Sequence, residues 1–396
     1  MLTSKQKAGA WVWIAAALAL CLQWIAIRFL HVEPHGALAP LLPGLAIFGA
    51  AFIVSWAAEL AQLDMPQAVA FAILALVAVL PEYAVDMYFS WMAAQDPAYH
   101  PYPVANMTGA NRLLIGMGWS VIIFVYWIKS RERHFHLDFN HRIEIRALLF
   151  ATVYSFILPI KKSLALYDGV ILLSLFGVYI YYAIKSHMSE PELEGPTEAV
   201  VSLGKTPRRI VTALFFLLSG FTIFVSAKPF SEGLLEAGRK LGVEEFILVQ
   251  WLAPLASEAP EFIVAIIFAV RGLCNQSFST MLSSKINQWT LLVGMIPIVY
   301  AVSGKSFAPL YLDDRQVEEI FLTAAQSFFA MAVLSNYIFS IWEALILFVL
   351  FISQLFFPWP VVRYIYGSVY LILTLLFLLL SKSQRESMVM MMRKQR

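Results

Sequence analysis

Glu82 directly follows Pro81 inside the apolar run 68–94, and Asp86 comes one helical turn later on the same face. Glu261 follows Pro260 inside the apolar run 245–270 in the same way, with Glu258 three residues earlier on that face. Carboxylates at membrane depth are costly, and they mark ion pathways, proton relays or buried pairs. The prolines add to this chemistry. Each lacks an N–H and clashes with the carbonyl four residues back, so it bends its helix and frees a backbone carbonyl beside the carboxylate. A hard cation takes both kinds of oxygen, so the chemistry these residues point to is coordination of an inorganic cation. The bland alternative for Glu82 and Glu261 is a buried ion pair that fixes helix packing, with Arg112 and Lys285 as partners. The sequence has no HExxH, GxSxG or phosphate-loop lysine motif, so an enzyme is not expected.

A second shared stretch follows each acidic pair. Asn106-Met107-Thr108-Gly109-Ala110-Asn111-Arg112 opens the apolar run 111–128, and Ser279-Thr280-Met281-Leu282-Ser283-Ser284-Lys285-Ile286-Asn287-Gln288 opens the run 286–304. The two copies form an internal repeat. They lie five apolar runs apart, and an odd number of crossings makes the second copy enter the membrane from the opposite side. Such inverted repeats place their sites near the bilayer midplane.

The elements that must position these residues follow from composition. Of 396 residues, 60% are apolar and 14% charged, and the mean hydropathy is +0.73. That leaves too little polar surface for a water-soluble globule. A net charge of +2, with the basic residues gathered in a few loops, gives no nucleic-acid signal, and no nucleic-acid partner is expected. Cys21 and Cys274 both sit in apolar stretches and offer neither a disulfide framework nor a CxxC metal site.

A spanning helix needs about 20 apolar residues, and such runs occur at 11–30, 39–57, 68–94, 111–128, 146–161, 168–185, 210–228, 245–270, 286–304, 319–337, 339–357 and 361–380. The expected fold is an all-α polytopic membrane protein with about 12 transmembrane helices. It comprises an extra helix in 1–36, a first five-helix repeat in 37–187, an acidic proline-containing linker in 188–208, a second repeat in 209–358, and an extra helix with a basic tail in 359–396. Eleven spans is the alternative, because the tenth and eleventh runs nearly fuse at 337–340. The first run, after Lys5 and Lys7, is too long for a signal peptide and reads as an anchor. Most Lys and Arg fall on the side holding both termini, which places the termini in the cytoplasm of a plasma (inner) membrane protein. His134, His136 and His141 read as part of a solvated turn, and the linker reads as a plain tether.

These residues resemble the cation/calcium antiporter superfamily, the sodium/calcium and calcium/proton exchangers. Their inverted repeats carry a Gly-Thr-Ser-x-Pro-Glu motif and then a Gly-Asn-x-x-Gly-Ser-Asn-x-x-Asn motif. The resemblance covers roughly 75–120 and 255–295. It implies that Glu82 and Glu261 are the central cation ligands, with Ser257, Asn106, Asn111, Thr280 and Gln288 as polar lining. It also implies that the first and twelfth spans are additions to a five-plus-five core.

The departures are specific. Val77-Ala78-Val79 precedes Pro81 where hydroxyl residues are usual, and Ala256-Ser257-Glu258 precedes Pro260 and adds a carboxylate. Asp86 replaces a small hydroxyl residue, Lys285 stands for the Asn of the second Gly-Ser-Asn, Gln288 stands for the following Asn, and Arg112 follows Asn111. Four carboxylates against Lys285 and Arg112 still leave about −2, enough for a divalent ion or two monovalent ones. The expected function is secondary antiport of Ca2+ or Na+ against protons by alternating access, with no cofactor and with cations, protons and lipid as partners. The alternatives are ordinary sodium/calcium exchange and a non-transporting scaffold whose site Lys285 and Arg112 neutralise. Lys285 has its own bland reading, an amine that snorkels to the surface from a late helix start.

Overall fold

The computed structural model describes residues 4–61, 63–64, 80–138, 141–185, 193, 195–242, 247–251, 254, 258, 262, 265–266, 269–270, 272, 274–357, 359–382 and 384–387. In chain order its main elements are α1 (Ser4–Phe29), α2 (Leu38–Ala61), α3 (Leu80–Ala93), α4 (Tyr102–Leu113), α5 (Ser120–Ser130), β1 (His134–His136), α6 (Arg142–Ser155), α7 (Ile157–Lys161), β2 (Ser163–Leu164), α8 (Leu166–Lys185), α9 (Pro196–Val201), α10 (Lys205–Leu241), α11 (Cys274–Asn287), α12 (Val293–Gly304), β3 (Leu310–Tyr311), α13 (Asp314–Leu334), β4 (Ile338–Ser340), α14 (Ile341–Gln354) and α15 (Pro360–Leu380). Among the described residues nine helices are long and apolar enough to cross a membrane, and α14 is a shorter apolar one. The third and eighth expected spans are described only in part. The tenth and eleventh are separate helices, parted by a turn with Tyr337 at φ 59 and by β4. Many of these helices face lipid rather than protein: in the most apolar window of α15 only 22% of residues are buried inside.

The chain divides into two compact units, 1–88 with 184–260 and 89–183 with 261–396. In the first unit, α1, α2, α9 and α10 close around Ile14, Ala17, Cys21, Ala50, Ile53, Val200 and Phe215. Small residues set the spacing: a Cβ on Gly49 would lie 2.7 Å from Leu20 Cβ and 2.8 Å from the Ala17 carbonyl. The run 210–228 predicts a helix that stops before Pro229, but α10 continues through it and ends at Gly242, φ 64. The lost backbone bond is offset because Phe230, Leu234 and Leu235 are buried and Gly233 meets the backbone of Ala39 and Pro40 in α2. The linker is more than a tether. Its α9 buries Thr197, Ala199 and Val200, and Thr197 is hydrogen-bonded to the Glu59 carboxyl of α2.

Asp64, just past α2, clasps the start of α10. Its carboxylate accepts from Arg208 Nη2 at 2.7 Å and from Arg209 Nε at 2.9 Å. The Arg208 guanidinium, seconded by Arg209, holds this carboxyl below the usual carboxylate range. A depressed pKa adds stability above the unfolded value of about 3.9 and loses it as pH falls through the folded value. Asp64→Asn is therefore expected to destabilise the protein in detergent at pH 7 by about 1 kcal/mol, as for a partly exposed cluster, read as a lower thermal midpoint. As pH falls below 4 and through the folded value the midpoints of wild type and variant should converge; a gap that does not shrink at all as the pH is lowered excludes titration of Asp64 as its cause.

In the second unit the strand pairing between the two halves of the sequence occurs twice. β1 pairs antiparallel with β4, His134 opposite Ser340 and Phe135 opposite Phe339, and β2 pairs antiparallel with β3, Leu164 opposite Leu310. One spanning helix separates β1 from β2 and another separates β3 from β4, so the two ladders lie at opposite membrane faces. The helix after each second strand starts on an acid. Asp168 Oδ2 accepts from the Ala165 N–H at 2.6 Å, and Glu343 Oε2 accepts from the Ser340 N–H at 2.7 Å. Those helices also pack through small residues: a Cβ on Gly169 would lie 2.6 Å from the Gly294 carbonyl, and Ser120 Oγ donates to the Ala344 carbonyl at 3.0 Å. His134 and His136 are exposed on β1 with Phe135 buried between them, so the predicted solvated turn is an alternating edge of a ladder. No group of three His, Cys, Asp or Glu among the described residues is arranged to hold a metal ion.

Candidate cation-binding site

The first unit carries the described acids of the Pro-Glu segments. Glu82 and Asp86 lie in α3, 4% and 0% exposed, and Glu258 is 1% exposed. Burial to this degree in an apolar helix is what a functional or paired carboxylate shows, and it rules out a solvated surface position. Glu261 and Ser257 lie outside the described residues. Glu59, another acid within a spanning helix, escaped the sequence reading because it sits near the end of α2.

The second unit carries the motif helices. Pro101 and Pro103 start α4, where a missing N–H costs nothing. Every residue from Tyr102 to Leu113 is buried, so Asn106, Thr108 and Asn111 face protein rather than lipid. Their polar groups turn partly onto the helix itself: Thr108 Oγ1 donates to the Val104 carbonyl at 2.7 Å and Asn111 Nδ2 to the Met107 carbonyl at 2.7 Å. In the second copy Gln288 and Lys285 are buried, at 1% and 0% exposed, and Thr280 is half-buried. At the end of each motif the helix widens to a π turn, Leu114–Trp119 in the first copy and Gln288–Leu292 in the second. Such turns recur at functional sites because they shift the backbone register and expose main-chain groups. Nothing in the residue types signals them, so the sequence reading missed both.

Lys285 does not snorkel. α11 begins at Cys274, and Lys285, within its last turn, continues without a break into the second π turn. Its ammonium donates to Asn111 Oδ1 at 2.5 Å and to the Asn111 carbonyl at 3.3 Å, and lies 4.6 Å from the centroid of the Trp289 ring. The separation of 174 residues between Lys285 and Asn111 is the repeat interval itself, which also relates Asn106 to Thr280. One pair of equivalent positions in the two motif copies, Asn111 and Lys285, therefore meets directly.

Arg112 is held by acids of the second half. Its Nη2 lies 2.5 Å from Glu319 Oε2, Glu319 Oε1 lies 2.5 Å from Arg363 Nε, and Arg363 Nη1 lies 2.9 Å from Glu318 Oε1. All four are buried. Two guanidiniums and two carboxylates thus alternate, and α15, expected as an addition to the core, supplies one of them. Aromatic rings brace the motif from the ladder side: Phe278 of α11 lies 5.5 Å from Trp119 and 5.6 Å from Phe339 of β4.

The family model described as sodium/calcium exchanger protein matches residues 41–185 and 211–359. The chain is 45% identical to the protein in the crystal structure of the H+/Ca2+ exchanger CAX, over 98% of this chain and 97% of that one, with a TM-score of 0.92. The structure of native YfkE matches over 87% of this chain and 97% of that one at 12% identity and a TM-score of 0.62. The sodium-calcium exchanger NCX_Mj soaked with 100 mM Na+ and 10 mM Sr2+ matches over 80% and 97% at 18% identity and a TM-score of 0.54. These last two show likeness of fold alone. No curated protein sequence matches the chain.

Proposed function

Because this chain belongs to the sodium/calcium exchanger protein family, whose members are integral membrane cation antiporters and not enzymes, we propose that it exchanges Ca2+ for protons by alternating access. The observation that carries this reading is the 45% identity to an H+/Ca2+ exchanger along nearly all of both chains. In the proposed cycle Glu82 and Glu261, with Asp86 and Glu258 near them in sequence, take the cation from one side. Ser257, Asn106, Asn111, Thr280 and Gln288 line the path, and protons replace the cation from the other side. Carboxylates bearing either protons or a divalent cation are neutralised, whereas the empty, charged site is expensive to carry through lipid. That difference couples the two fluxes. The two repeats, 37–187 and 209–358, form the moving core, and both termini lie in the cytoplasm of a plasma-membrane protein.

Sodium coupling is the second reading. A fixed ammonium at position 285 speaks against it, because it occupies a motif position where a further mobile cation would have to be balanced. The scaffold reading requires Arg112 and Lys285 together to neutralise the site, and the Arg112 charge is met by Glu319. Purified protein in proteoliposomes, loaded with buffer and given external 45Ca2+, tests the proposal. An imposed pH gradient is expected to drive accumulation and an imposed Na+ gradient to have no effect. Accumulation on a Na+ gradient alone would establish the second reading instead, and none under either gradient would favour the scaffold.

A further inference from the structure

We propose that His141, Glu144, Tyr179 and Ser283 form a route by which protons pass between one membrane face and the second motif helix, α11. The proposal rests on the reading of the chain as a proton-coupled exchanger and adds to it the residues that bring the proton. His141, expected in a solvated turn, is 5% exposed where the chain enters α6. Its Nδ1 lies 3.8 Å from Glu144 Oε2, and among the described residues no group hydrogen-bonds to either ring nitrogen or to that carboxylate oxygen. Buried polar atoms require partners; in the proposed route water from the membrane face meets them and bridges the step between them. Glu144 acts electrostatically on the Tyr179 hydroxyl of α8. Tyr179 Oη in turn lies 3.4 Å from Ser283 Oγ of α11, and either atom can be the donor.

The groups descend in order from that face. At a rise of about 1.5 Å per residue, Glu144 lies about 3 Å, Tyr179 about 9 Å and Ser283 about 14 Å from the ends of their helices there. The repeat supplies the comparison. At the interval of 174 residues, His141 and Glu144 correspond to Arg315 and Glu318 at the start of α13, on the opposite membrane face, where Arg315 acts on Glu318. An arginine keeps its proton, whereas a histidine takes up and releases one near neutral pH. Tyr179 corresponds to Ser353 and Ser283 to Gly109, so the row of hydroxyls belongs to one half only. The other charged and titratable groups near His141 are Asp138, whose carbonyl accepts the His141 N–H at 3.1 Å, and Arg142 and Arg146, one turn apart on α6, which act on Tyr337. In the relay a proton taken up at His141 passes to Glu144 Oε2. From the carboxyl it passes to the Tyr179 oxygen as that hydroxyl gives its own proton to Ser283, which releases its own toward the carboxylates of the cation site. Each O–H bond formed is matched by one broken, and rotation of the two hydroxyls resets the row.

Two assays on one proteoliposome preparation separate this role from packing. One is 45Ca2+ uptake driven by a pH gradient, which needs protons; the other is 45Ca2+ counterflow against internal unlabelled Ca2+ at equal pH, which needs none. His141→Gln and Glu144→Gln are expected to slow the pH-driven uptake at least about tenfold and to leave counterflow at the wild-type rate. Equal loss in both assays would mean a packing role and overturn the proposal, as would no loss in either. Should neither variant be recovered as a monodisperse protein, Tyr179→Phe, which removes a single oxygen, decides: slowed pH-driven uptake with intact counterflow supports the route, and any other pattern overturns it. A wild type without pH-driven uptake refutes the exchange function and the route with it, whereas pH-driven uptake that survives these changes refutes the route alone.

Discussion

Glu82→Gln is expected to abolish calcium exchange while leaving the protein folded. The side chain is 4% exposed on α3, directly after Pro81. At about 4 Å and an effective dielectric constant near 20, each unit of ion charge gains about 4 kcal/mol from a carboxylate. Removing that charge should weaken Ca2+ binding by at least about a thousandfold. Glutamine keeps the size and mimics the protonated acid, so the variant should sit permanently in the proton-loaded form and carry no coupled flux. The measurements are 45Ca2+ uptake under a pH gradient and the thermal midpoint of the same preparation. If Glu82 only fixed helix packing, the result would invert: the midpoint would fall and the protein that still folds would still exchange.

Glu319→Ala is expected to be the most damaging single change to stability. The carboxylate stands between Arg112 and Arg363 at 2.5 Å from each, and without it the two guanidiniums lose their shared counter-ion. Breaking a buried pair costs about 3–5 kcal/mol because a charge is left behind uncompensated. The loss should appear as a marked drop in thermal midpoint and in the yield of monodisperse protein. A paired change, Arg112→Met with Glu319→Leu, removes charge from both sides and should recover most of the loss. If it recovers nothing, the contribution of Glu319 is steric packing against its neighbours and not its charge.

The spans were legible because an apolar run of about 20 residues has few other uses, and the inverted repeat was legible because the two Pro-Glu pairs and the two motifs recur in order. What stayed hidden depends on partners far along the chain. Glu319 read as the start of an apolar run, and only the fold shows that α13 begins at Asp314 and buries the acid against Arg112. The passage of α10 through Pro229 was invisible because the local penalty is offset by burial against α2, which no window of α10 contains. The ladders are two or three residues long, too short for a strand pattern to register. The sequence points to Glu82 and Glu261 as the central pair; the structure describes Glu82 and, three residues before Glu261 in the chain, Glu258. Lys285 is the odd residue of its motif in the sequence, but only the unbroken α11 distinguishes it from a snorkelling amine.

The exchange of strands between the halves has a bearing on ancestry. Since β1 closes on β4 and β2 on β3, neither half completes a ribbon from its own residues, and each depends on a companion lying upside down beside it. Two identical copies of a single ancestral half, inserted in opposite orientations, would make both ribbons with the same geometry. Fusing the genes for such a pair would free the halves to diverge, and an amide in one copy facing an amine in the other is a difference that two products of one unduplicated gene could not hold.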